Sequence, residues 1–274
     1  MLGDSTAVGL GDPIPGGRWR GVGPLLAEAL GAPDYLNVAF TGARARCVRV
    51  DQLPEVYRFR PDVAVLVVGM NDALRSDFDA EAVRADLDHV VATLTELGTV
   101  VLTVRFHDHG RVFRLPGPLR RALQARIEEL NGVTDAVTHA RGVPCLDLDV
   151  LPEVYQLDAW SVDRLHPSER GHRLLANGFA ELLAAAGIAV PAPVPLDCSD
   201  GLRTGTHHHV AWLVCKGVPW LWRRGRDLLP YAAALMLRSA LPALSALREM
   251  PASRGTGRGA EHPERPRLPA KCGD

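Results

Sequence analysis

No run of apolar residues in this chain approaches the ~18 that a membrane-spanning helix requires, so a helical span is excluded. Charge of one sign is also lacking. The formal net charge is −1, which leaves no electrostatic case for a nucleic-acid partner. Cysteine is sparse and unpatterned: Cys47, Cys145, Cys198, Cys215 and Cys272 show no Cys-x-x-Cys spacing. An odd, dispersed set suits neither a disulfide framework nor a zinc site, and reads as free thiols in a reducing compartment. The chain opens with Met1 against a polar Gly3-Asp4-Ser5 turn, without the apolar stretch of a signal peptide. A soluble, cytoplasmic protein is expected. No internal repeat is visible.

What is present is the balance of a globular protein. Of 274 residues, 47% are hydrophobic and 23% charged, enough apolar material for one sizeable α/β domain and an appendage. Short β-rich runs alternate with longer helical patterns. Tyr35–Phe40, Val63–Val68, Val100–Val104 and, more weakly, Val143–Leu148 read as strands. Val63–Val68 is continuously apolar, as in a parallel strand buried on both faces. Asp79–Leu97 places Val83, Leu87, Val90, Val91 and Leu94 on one helical face, with Gly98 as the stop. Leu119–Ala140 and Glu169–Ala186 repeat that period. The alternation predicts an α/β fold: a three-layer α/β/α sandwich with a mostly parallel, flavodoxin-like sheet. Reactive groups then collect at the carboxyl ends of the strands.

The pattern predicts three regions. Residues 1–189 form the α/β domain. Residues 190–250 combine a Pro-rich strap, Val190–Leu196, with an amphipathic helical extension. Residues 251–274, rich in Pro, Gly, Arg and Glu, read as a disordered tail.

Four clusters fall where chemistry is expected. Gly3-Asp4-Ser5 can hold a serine hydroxyl on a tight turn, with small neighbours at Gly9 and Gly11. Gly42 follows the Tyr35–Phe40 run and can leave a backbone N–H open. Gly69-Met70-Asn71-Asp72 closes the strongest strand, and its Asn71 amide can donate to an oxyanion. Asp163-Arg164-Leu165-His166 puts a carboxylate three residues before a histidine, close enough to fix the ring's tautomer. Taken singly, each is also ordinary turn chemistry.

Together and in this order, the four resemble the motifs of the SGNH (GDSL-type) hydrolase family, across roughly residues 1–187. The resemblance implies a serine esterase or lipase that works through an acyl-enzyme. Ser5 would be the nucleophile, His166 the base and Asp163 its orienting carboxylate. The Ser5 and Gly42 N–H groups and the Asn71 amide would form the oxyanion hole. It implies no metal or other cofactor, and a small-molecule or lipid ester as substrate. Acyl transfer to an acceptor other than water, and a non-catalytic binding protein of the same fold, remain alternatives. Oligomeric state is not legible.

The sequence departs from the family in one place. Only Met1 and Leu2 precede the Gly-Asp-Ser turn where a whole first strand is expected, so that strand is truncated and further strand-forming residues are expected upstream. Substrate choice is expected to lie in the loops Asp12–Trp19 and Arg105–Pro118. His107-Asp108-His109 and His207–His209 carry weak metal signals. Trp212, Trp220 and Trp222 stand among Lys216, Arg223, Arg224 and Arg226, which suits either a packed helical appendage or a peripheral membrane contact. The membrane reading predicts that the segment 200–247 co-sediments with anionic liposomes; absence of binding would retire it.

Overall fold

The computed structural model describes residues 1–198, apart from Pro33, Arg114 and Pro116, together with Ala233. The expected helical extension with its tryptophans, the His207–His209 run, Cys215, Cys272 and the 251–274 tail therefore lie outside the described residues. Cys47, Cys145 and Cys198 are free thiols.

The framework is a four-stranded parallel sheet. In order across it, its strands are β1 (Leu2–Gly3), β4 (Val63–Val67), β5 (Val100–Arg105) and β6 (Cys145–Asp147). A two-residue hairpin, β2 (Pro13–Ile14) and β3 (Arg18–Trp19), stands apart from it. The valines of β4 satisfy a strand covered on both faces, and its last four residues are all buried. Helices α2 (Val22–Leu30) and α9 (Glu169–Ala185) pack together, as do α6 (Ala80–Glu96) and α8 (Gly117–Arg141), giving the expected α/β/α layering. Short helices fill the connections: α1 (Ser5–Val8), α3 (Ala45–Cys47), α4 (Leu53–Phe59), α5 (Met70–Ala73) and α7 (His109–Phe113).

The apolar stripe and the glycine stop read over Asp79–Leu97 are both present, and the structure adds an N-cap. Asp79 caps α6 by accepting from the N–H groups of Glu81 and Ala82, and its apolar stripe from Val83 to Leu94 is buried. Gly98, at φ +82°, ends that helix while Thr99 N–H donates to Leu94 O at 3.1 Å. The Pro-rich segment crosses the α2–α9 pair. Ala192 N–H donates to Ala29 O, Pro195 O accepts from Arg173, and Val194 is buried.

Two strand expectations need correction. Tyr35–Phe40 is not a regular strand. It runs beside β1 through three hydrogen bonds only: Met1 N to Leu36 O, Val38 N to Met1 O and Phe40 N to Gly3 O. A two-residue partner offers too few backbone groups to extend the ladder. The last strand shrinks from Val143–Leu148 to Cys145–Asp147, the stretch that β5 reaches.

β1 is held from another direction. Gln52, fully buried, donates to Gly3 O and accepts from Gly3 N, both at 2.8 Å. Its carboxamide stands in for a neighbouring strand. Gly3 itself cannot be replaced, because at φ +135° a Cβ would sit 2.0 Å from Val67 O. Gln52→Ala strips buried peptide groups of their partner and should cost roughly 2–4 kcal/mol. Urea denaturation should show this as a lower midpoint with the slope unchanged.

Candidate active site

Ser5 opens α1 at the carboxyl end of β1, and Asp4 caps that helix by accepting from Thr6 N–H at 3.0 Å. His166 arrives from the far end of the domain, just before α9. The Ser5 Oγ lies 2.8 Å from His166 Nε2, and His166 Nδ1 lies 2.6 Å from Asp163 Oδ2. An ionised carboxylate can only accept, so Nδ1 carries the proton and Nε2 is left to accept from the serine hydroxyl. The distance is within reach of a general base.

The Asp163–His166 turn is built locally. Arg164 adopts φ +53°, a left-handed conformation rare for a side-chain-bearing residue, and this folds the histidine back over the carboxylate. Asp163 Oδ1 accepts from the N–H groups of Leu165 and His166 and from Ser161 Oγ. Burial pushes this carboxyl up, but the His166 contact and the other hydrogen bonds outweigh it and hold it below the ordinary range.

Asn71 reaches the same place from the end of β4. Its amide donates to Ala43 O at 3.1 Å and, more weakly, to Asp4 Oδ2 at 3.4 Å. Gly42, exposed at φ +85°, stands next to Ala43 with no atom within 4 Å of where a Cβ would be. It is not part of the cavity wall beside Ser5, so its link to the site runs through Asn71 and Ala43. The five residues singled out in the sequence thus fall in two adjacent sets, Ser5–His166–Asp163 and Asn71 with the Gly42–Ala43 turn, joined through the neighbouring Asp4 and Ser5 of the chain.

Other residues escape sequence reasoning. Asp72 is buried, accepts from Ala45 N–H and Arg44 Nε, and so fastens the Gly42 loop to the end of β4. Asn131 accepts from Phe106 N and donates to Phe106 O, pinning the end of β5. The loop after α1 is clamped to α9: His172 Nε2–H donates to Leu10 O, and Arg20 bridges Asp12 and Glu169. Burial lowers His172 to about 4, so the ring is neutral and fits this donor role. No sequence signal marks these residues, because their partners are remote in the chain.

A cavity of about 50 Å³ opens beside Ser5 and His166, walled mainly by Met70, Leu74, Phe106, His109, Trp160 and Leu165. The 105–118 loop therefore contributes to it, through Phe106 and His109. The Asp12–Trp19 loop does not line this cavity. The metal reading of 107–109 also fails. Asp108 turns to Arg120 at 2.6 Å, while the rings of His107, His109 and Trp160 pack against one another. Burial lowers His109 to about 4, leaving it neutral. Among the described residues no group of three or more His, Cys, Asp or Glu could hold a metal ion.

The model of the GDSL-like lipase/acylhydrolase family matches residues 1–174. The chain belongs to that family. As a GDSL-type hydrolase it is a serine carboxylic ester hydrolase acting on a small-molecule ester. Solved structures share its fold at low identity. Axe2, an acetylxylan esterase from Geobacillus stearothermophilus, is 18% identical, with TM-score 0.51, over 66% of this chain and 91% of its own. LAE5, an alpha/beta hydrolase enzyme from the metagenome of Lake Arreo, Spain, is 21% identical, with TM-score 0.54, over 72% and 94%. No curated protein sequence matches the chain.

The Asp4 of the family's Gly-Asp-Ser motif is under electrostatic stress. Burial raises its carboxyl to about 6, with the Thr6 N–H and His166 offsetting part of that. Between pH ~4 and ~6 the folded state then keeps a proton that the unfolded chain releases, so this group's contribution to stability falls as pH rises. Asp4→Asn should gain stability over the parent at pH 7, by up to about 3 kcal/mol, with the gain vanishing towards pH 4. Urea unfolding at the two pH values checks this.

Proposed function

We propose that this hydrolase cleaves esters of short acyl groups, acetyl foremost, through an acyl-enzyme on Ser5. The observation that carries the reading is the continuous Ser5–His166–Asp163 hydrogen-bond chain at the mouth of a small apolar cavity. Ser5 Oγ attacks the ester carbonyl and forms the new C–O bond as its proton passes to His166 Nε2. The resulting imidazolium is steadied by Asp163. His166 then returns the proton to the departing alkoxide as the old C–O bond breaks. Water repeats the sequence and frees Ser5 and the acid. The Ser5 N–H at the start of α1 and the Asn71 amide, both at the cavity wall, are the donors we assign to the oxyanion.

Acyl length follows from volume. An engineered cavity of ~150 Å³ takes benzene, so a space of about 50 Å³ has room for roughly two or three carbon atoms. The acetylxylan esterase among the structural neighbours shares only the fold at its level of identity, and the short-acyl reading stands on the cavity alone.

Hydrolysis of p-nitrophenyl esters tests both parts. Ser5→Ala should lower kcat by about four orders of magnitude or more and abolish fluorophosphonate labelling. Asn71→Ala should lower kcat by about 10²–10³. Labelling of another serine would sink the assignment, and a preference for octanoate over acetate would sink the short-acyl reading.

A further inference from the structure

The small cavity beside Ser5 and His166 is apolar but for a few side chains. Ser5, Asn71 and His166 serve the reaction. Asp4 is engaged by Thr6 N–H and Asn71, and Thr6 follows the nucleophile on α1. His109 has no such task. It enters on α7, beyond the end of β5, and its ring forms part of the wall.

Almost none of that ring meets solvent, for the residue is 4% exposed. Its Nδ1 is buried without a hydrogen-bond partner. The neighbouring His107, 4.1 Å away between ring centroids, does not supply one, because both of its own nitrogens are unpartnered too. Phe106, Phe113 and Trp160 pack around the same imidazole, with centroids at 6.4, 6.0 and 5.2 Å. Turning it out to water would break all three contacts. Burial lowers the ring to about 4, against the pull of the His107 backbone and the Asp108 carboxylate, so it is a neutral imidazole near pH 7. One nitrogen then carries a proton and the other a lone pair. Such a group left unpaired in an apolar wall is destabilising, and a ligand that pairs with it removes the penalty.

We propose that His109 is a specificity-determining residue that reads a hydroxyl on the acyl group, so that the cavity takes small uncharged 2-hydroxyacyl esters, glycolyl the smallest, ahead of unsubstituted chains of equal size. The inference rests on the short-acyl reading and refines it. A space of about 50 Å³ has room for roughly two or three carbon atoms, so the end of a short chain meets the wall. A glycolyl and a propionyl group fill nearly the same volume, one ending in a hydroxyl and the other in a methyl. A purely apolar cavity favours the methyl, since the hydroxyl would lose its water without replacement. With His109 in the wall the order reverses. A hydroxyl both donates and accepts, so it can pair with either imidazole nitrogen in either tautomer. A site that hydrogen-bonds a hydroxyl also rejects the analogue lacking it far more strongly than an apolar wall rejects a change of one methylene. A carboxylate at that position is disfavoured, because a neutral ring does not offset its charge.

Ethyl glycolate and ethyl propionate share a leaving group, and pH-stat titration measures kcat/KM for each. Dividing by the hydroxide-catalysed rate of the same ester removes their intrinsic reactivity. The parent protein should then favour glycolate; a parent that favours propionate overturns the proposal. His109→Phe keeps a packed ring and removes both nitrogens, and should lower the glycolate-to-propionate ratio by about tenfold or more, while His109→Gln should retain part of it. Loss of packing alone would slow both esters together and leave the ratio where it was. An unchanged ratio in His109→Phe therefore overturns the proposal as well. A preference for octanoate over acetate would defeat the short-acyl reading itself, whatever this ratio.

Discussion

The site depends on a clamp between the loop that leaves the nucleophile and the helix that follows the base. Ser5 and His166 are 161 positions apart, and a 2.8 Å contact between them survives only if both supports are fixed. Leu10, Gly11 and Asp12 supply one jaw. Their partners are His172, Pro167 and, through Arg20, Glu169. Gly11 packs so close that a Cβ there would lie 2.0 Å from Pro167 O. A neutral hydrogen bond, a backbone approach open only to glycine, and a buried ion-pair chain thus act on the same few ångströms. The last needs Arg20 paired on both sides, since an uncompensated charge at this depth is costly.

Around that clamp, side-chain carboxamides do work usually left to backbone. Gln52 satisfies both peptide groups of Gly3, and Asn131 does the same for Phe106. Each stands where a strand ends and no neighbouring strand reaches. Asn71 has a divided task, with one contact to Ala43 O and another to Asp4. The two contacts hold the amide in one orientation at the end of β4.

The carboxylates divide by environment. Asp163 is partly buried yet surrounded by donors, and stays ionised. Asp4 is buried with fewer of them and is pushed up. Asp72, also raised by burial, is partly relieved by Ala45 N–H and Arg44. Three acids of the same type, close in space, thus have different standing because of what donates to them.

The sequence by itself determined the family, the three long helices with their apolar stripes, the parallel sheet, and the residues that come together at the site. Those features are local or motif-borne: a period of 3.6, a valine run, a carboxylate three residues before a histidine. Only the tertiary structure decided how long the strands at the ends of the sheet are, because a strand's length is set by the partner beside it. It also decided that His107 and His109 join an aromatic cluster with Trp160 rather than a ligand set, since Asp108 has a better partner in Arg120 twelve residues away. The roles of Gln52, Asp72 and His172 stayed silent for the same reason. Each acts through a hydrogen bond to a residue at least 27 positions distant, and no spacing in the chain encodes such a bond.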